Sequence, residues 1–115
     1  MFGKVVYIAH PYRANSVEGV RRNIQRAEEF GKQVALKGGI PLIPHNNTRL
    51  WDLDSRFDTW SPRDWVSKIC LPLLRRCDIL FLCGNWKRSK GCLMELEEAQ
   101  KLGIDVVISK DGISK

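Results

Sequence analysis

DILFLCGNWKRSKGCLMELEEAQKL, residues 78–102, decides the fold. Asp78 to Cys83 is almost wholly apolar and ends at Gly84, the pattern of a parallel strand covered on both faces. Ser89 stands where a helix N-cap belongs, and good helix formers follow until Gly103 stops them. The helix mouth therefore opens at the carboxyl end of a central strand, where free backbone N–H groups and the positive end of the helix dipole suit an anion. Glu95 falls four residues after Gly91 and four before Ala99, which places a carboxylate in the inward stripe. Gly91, with no side chain, leaves room at the first turn, and Ser89 lies roughly 9 Å from Glu95 along the axis at 1.5 Å per residue. That span suits a phosphate at one end and a sugar carbon at the other. Ser89 as an ordinary cap and Glu95 as a solvated helix glutamate is the alternative reading.

The chain of 115 residues is 43% hydrophobic and 28% charged, which is enough apolar material for one core and predicts a single domain over 1–115. MFGKVVYIAH fits a buried first strand better than a signal peptide, and no run reaches membrane-spanning length. The expectation is a cytoplasmic protein with no membrane partner. Cys70, Cys77, Cys83 and Cys92 lack paired CxxC spacing and read as small buried residues in a reducing compartment. The net charge of +6 is scattered, without a basic run interleaved with aromatics, so small anions are favoured over polynucleotides as partners. HExxH, Cys/His clusters, GxGxxG and the P-loop are all absent, so neither a metal nor a cofactor is expected.

Lys4–Ala9 predicts the first buried strand, ended by His10-Pro11. Asn15 with Glu18 resembles a capping box for a helix reaching about Lys37, with Val17, Val20, Ile24, Ala27, Val34 and Ala35 as its apolar stripe. Ile40–Ile43 predicts a short second strand before Pro44-His45. Residues 46–61 have no clean period but carry Trp51 and Trp60, which predicts an ordered lid or oligomer contact. Pro62 suits a first helical position, and that helix should end near Arg76 with a kink at Pro72. A last strand, Asp105–Ser109, precedes a short polar tail. Together these elements predict an α/β fold, a small doubly wound parallel sheet of order 2-1-3-4 with helices on both faces. Ligands on such sheets bind beyond the carboxyl ends of the strands, where His10, Tyr12, Arg13, His45, Trp86 and Ser89 all fall. Tyr12 and Trp86 offer faces for a base, and His45 either meets the ligand or satisfies a backbone carbonyl.

YIAHPYR (7–13), PLIPH (41–45), RRCDILFLCGNW (75–86) and above all SKGCLMELEEAQKLG (89–103) resemble the nucleoside 2-deoxyribosyltransferase superfamily. The nearest likeness is to its 2'-deoxynucleoside 5'-phosphate N-hydrolase-like and small phage-associated members. The resemblance implies cleavage of an N-glycosidic bond, with Glu95 as nucleophile, Tyr7 orienting it, and a retaining path through a glycosyl-enzyme ester. It places the 5'-phosphate of a nucleotide at Ser89 and the His10–Arg13 loop, with Arg13 gripping it. It also implies a homodimer or higher homo-oligomer. The family usually carries an aspartate near the leaving base at the position of Cys70. Asp54, Asp58 or Asp64 are the substitutes from the loop, because protonating the base needs an acid within reach. A nucleotide-binding or sensing module that does not cleave is a second reading, and an NAD-cleaving glycosidase a third.

Overall fold

The computed structural model describes residues 1–109. The polar tail expected after Ser109 lies outside them. The sheet has four parallel strands in the order β2-β1-β3-β4: β1 Val5–Ala9, β2 Ile40–Leu42, β3 Ile79–Leu82 and β4 Asp105–Ile108. Apolar β1 and β3 take the centre, paired from Val6↔Ile79 to Ala9↔Leu82. The Asp78 carboxylate accepts the Val5 N–H at 2.8 Å and closes the lower end of that pair. Pro41 has no N–H to give a ladder, and β2 is accordingly an edge strand. The strand ends at Leu42 rather than Ile43, because Pro44 opens a short helix, α2, Pro44–Asn47.

Strand periodicity of two splits the core into two layers. Val6, Ile8, Ile79 and Cys83 face Ala27 and Val34 of helix α1, Val17–Leu36. Tyr7, Ala9, Leu80 and Leu82 face the opposite way, onto Leu74, Cys92 and Ala99. Helix α1 buries Gly19, Ile24, Ala27, Gly31 and Val34. Val17 and Ala35, expected in its stripe, are exposed. Its cap is Ser16, not Asn15: the Ser16 hydroxyl accepts the Gly19 N–H at 3.1 Å, the N3 amide that an N-cap serves.

The second helical layer begins with α3, Pro62–Trp65, capped by the reciprocal Ser61–Asp64 pair. It runs into a π turn, Val66–Cys70, and then α4, Leu71–Leu74. The kink expected at Pro72 is this wider turn. Pro72 cannot donate back along the helix, and the Leu71 N–H bonds Val66 O, five residues back. Helix α5, Lys90–Leu102, follows β3 and is closed by Gly103 at φ 71°. Residues 46–61 form no long element: they begin in the end of α2 and continue through two 3-10 turns, Trp51–Leu53 and Ser55–Phe57.

Gly84 ends β3 at φ 65°, and a Cβ there would overlap the His10 imidazole. Gly103 has a similar φ but open space around it. Gly103→Ala should therefore cost about 1 kcal/mol, the strain of a left-handed residue, whereas Gly84→Ala should cost about 2–4 kcal/mol through added overlap. Urea midpoints of the two variants check this, and equal losses would show that His10 yields freely.

Candidate functional site

Above the carboxyl ends of β1 and β3 lies a cleft of about 1130 Å³. Glu95 lines it from the second turn of α5 and is only 6% exposed. Helix period turns this carboxylate inward, as the spacing from Gly91 to Ala99 predicts. Beneath it the fully buried Tyr7 on β1 donates its hydroxyl to Glu95 Oε2. Burial pushes the Glu95 carboxyl up to about 7, against the opposing pull of the Tyr7 hydrogen bond. The Tyr7 hydroxyl is driven well above its usual range by burial and then by the Glu95 charge, so it remains a proton donor. A carboxylate poised near neutrality, held by one donor at the floor of a cleft, is equipped for nucleophilic or proton-transfer work.

Ser89 caps α5, its hydroxyl accepting the Cys92 N–H at 3.2 Å. Its own O–H is left to point at a ligand, and the amides of the first turn have no partner within the helix. Gly91 lines the cleft, and a Cβ there would press on Val66 Cγ2 at 3.3 Å. The missing side chain thus lets the π turn approach α5 as well as opening the mouth. That turn delivers Cys70 to the cleft wall beside Tyr7 and Glu95. Burial first, and then the Glu95 charge, push the thiol up to about 12, which makes it a feeble acid at neutral pH.

The exit of β1 forms the other wall. His10 is buried, with Nδ1 2.8 Å from Pro11 O. A carbonyl only accepts, so Nδ1 carries the proton and Nε2 is the acceptor in the neutral ring. Burial holds His10 below its ordinary range, aided by the Arg26 charge and opposed by the Pro11 bond. His45 is 9% exposed, and burial pushes it down to about 3. Its Nδ1 is buried and has no hydrogen-bond partner among the described residues, although the residue lines the cleft. Tyr12 stands edge-on to His45 with ring centroids 5.0 Å apart. The Tyr12 hydroxyl accepts the Leu50 N–H at 3.1 Å and donates to Asp52 Oδ1 at 3.0 Å. Leu50 is the non-glycine residue at positive φ, 61°, among the described residues, and this strained turn is what carries Asp52 to the wall. Arg13 also lines the cleft and is exposed.

Two expectations about placement fail. Trp86 does not line the cleft: it is 6% exposed and packs in the core with Tyr7, Leu82 and Cys92. The 3-10 turn Trp86–Arg88 swings the indole under the sheet end instead of over it. Asp54, Asp58 and Asp64 do not line the cleft either. Asp54 is clamped by Arg56 at 2.6 Å, Asp64 closes the α3 capping box, and Asp58 faces outward. Among the described residues, the carboxylates that line the cleft are Glu95 and Asp52. Asp52, Arg26, Arg63, Arg88 and Lys90 are lining residues that spacing did not single out. Arg88 and Lys90 flank the capping serine and were legible in principle. No group of three His, Cys, Asp or Glu side chains among the described residues is arranged to hold a metal ion. No helix among them is long and apolar enough to cross a membrane.

No curated protein and no solved structure matches the chain. A family model described as a domain of unknown function, DUF7768, matches residues 4–109, so it covers both walls of the cleft, the buried Tyr7 and Glu95 beneath it, and all four strands. The chain belongs to the DUF7768 family.

Proposed function

We propose that the protein is an N-glycosidase or deoxyribosyltransferase acting on a 2'-deoxynucleoside or its 5'-monophosphate. The observation that carries this reading is the buried Glu95 carboxylate, bonded to Tyr7 at the floor of a cleft whose rim is an anion-binding helix mouth. The resemblance to the nucleoside 2-deoxyribosyltransferase superfamily supplies the reaction. Ionised Glu95 attacks the anomeric carbon while the C–N bond breaks and its electron pair leaves with the base, which takes up a proton. Water, or a second base, then attacks the same carbon and releases the Glu95 carboxylate. Ser89, the free amides of α5 and Arg13 hold the 5'-phosphate. Tyr7 is a positioning residue.

Cys70 stands where the superfamily usually has an acid, and its thiol is too weak to serve. Asp52, held by Tyr12 in the cleft lining, is the other carboxyl group placed to hydrogen-bond the leaving base, which takes its proton from water. The same cysteine favours the second reading, a module that binds nucleotides without cleaving them. A cytoplasmic location and a homo-oligomer belong to the first reading, the latter supported by exposed Trp51 and Leu53 beside the cleft loop.

Free base should appear when the protein is incubated with the four deoxynucleoside monophosphates, and Glu95→Gln should reduce that release by at least about a thousandfold. Nucleotide-dependent thermal stabilisation without base release would favour the binding module. Only ionised Glu95 attacks, so the rate should rise with pH through an apparent value near 7 and then level. Tyr7→Phe removes the bond that lowers Glu95, and the acid limb should move to higher pH. A limb unmoved by this change means that another group sets it.

Stability gives an independent readout of the same carboxylate. Its folded value, about 7, lies above the ordinary 4.5, so the folded state holds the extra proton between those limits. Stability must fall as pH rises across that window and stay low above it. Glu95→Gln is neutral throughout and should be more stable than the wild type at alkaline pH by about 2–3 kcal/mol, with the difference vanishing in acid. Chemical denaturation of both proteins across the pH range measures this directly.

A further inference from the structure

The distribution of cations points to a more highly charged ligand than a monophosphate. Away from the cleft, Lys32, Arg56, Lys68, Arg75 and Lys101 each meet a carboxylate within 4.0 Å. Among the described residues, Arg13, Arg26, Arg63, Arg88 and Lys90 inside it do not; others outside it, such as Arg21, Arg22 and Arg49, also lack such a partner, so the mark of the cleft is that five cations gather in it. These five come from separate parts of the chain: the β1 exit, helix α1, the first turn of α3 and the mouth of α5. Local sequence therefore does not explain their convergence. Asp52 and Glu95 alone oppose them in the lining. Unpaired like charges facing one cavity destabilise the free protein, and a cleft of this kind draws in and concentrates a multivalent anion.

One terminal phosphate carries a charge of about −1.5 to −2 and three acceptor oxygens. A forked guanidinium takes two such oxygens, so the helix mouth with one or two cations already saturates a monophosphate. The remaining arginines need further phosphate oxygens. At about 1130 Å³ the cleft is slightly larger than the usual small-ligand site of about 300–1,000 Å³, with room for a nucleoside and a phosphate chain.

We propose that the cleft is built to take a nucleoside di- or triphosphate, with the innermost phosphate at Ser89 and the α5 mouth and the outer ones shared among the arginines. This rests on the glycosidase reading for where the sugar sits. The substrate class then becomes the deoxynucleoside polyphosphates.

Binding to Glu95→Gln, measured by calorimetry with the mono-, di- and triphosphates of all four deoxynucleosides, tests this without turnover. At least one base should show tightening of about tenfold or more from mono- to triphosphate. The double variant Arg26→Gln, Arg63→Gln, added to that background, should lose the gain while keeping monophosphate affinity within about twofold. Both arginines are exposed, and an unchanged melting temperature confirms that the variant folds. Equal affinity along the phosphate series, or tighter binding of a single-stranded oligonucleotide than of any triphosphate, overturns the proposal. Those outcomes leave the glycosidase reading standing if base is still released from monophosphates by the wild type. Absence of binding to every nucleotide overturns the proposal as well, and if the wild type also releases no base from deoxynucleosides or their monophosphates, the glycosidase reading falls with it.

Discussion

One hydrogen bond, from Tyr7 to Glu95, joins the first strand to the last helix across 88 residues of sequence. It is the polar link in a layer that is otherwise apolar, made of Ala9, Leu74, Leu80, Leu82, Trp86, Cys92 and Ala99. A carboxyl group in such a place is costly when ionised and cheap when protonated, which is why its titration moves toward neutrality. Tyr7 offsets part of the cost, yet its own hydroxyl is sequestered and has no other acceptor of comparable strength. Remove either partner and the other is stranded in apolar surroundings. A chain selected only for stability would fill this space with leucine, so the pair argues for a function rather than a fold requirement.

The π turn is the second departure from economy. A regular helix from Pro62 to Leu74 would lose a bond at Pro72 in any case, but the wider turn does more than relieve that loss. It brings Val66 against Gly91 and Cys70 against Tyr7 and Glu95. The wall facing the carboxylate is thus apolar and thiol-lined, and it keeps water from solvating Glu95 from that side. An aspartate at Cys70 would place a second negative charge beside a carboxyl group that burial already disfavours in its ionised form. Cysteine avoids that repulsion, and Asp52, on the Tyr12 side of the cleft, remains the other carboxylate of the lining.

Much of this was legible in the sequence because it follows from period and punctuation. The alternation in β1 and β3, the glycines that stop α1 and α5, and the inward position of Glu95 are local patterns, and the strand order follows from crossover handedness. What was not legible depends on groups distant in sequence. Asn15 and Ser16 are equally good caps on paper; Ser16 takes the Gly19 amide, at a residue where a Cβ would come within 2.6 Å of the Ala14 side chain. Trp86 follows a strand end and so reads as a cleft residue, but a 3-10 turn between Gly84 and Ser89 decides which side of the sheet it covers. Asp52 is one aspartate among several in an aperiodic segment. Its role is fixed by a hydroxyl 40 residues away and by the left-handed Leu50, neither of which leaves a mark in spacing.

The electrostatics of the cleft are simpler than its residue content suggests. His10 and His45 are both held neutral by burial, so neither adds charge as pH falls through the physiological range. The positive field is carried chiefly by guanidinium groups, which do not titrate there. Glu95 alone is displaced into that range, and its ionisation changes the excess of cations in the cleft by a single charge. Burial and the Tyr7 hydrogen bond, rather than the cations of the rim, set where Glu95 titrates.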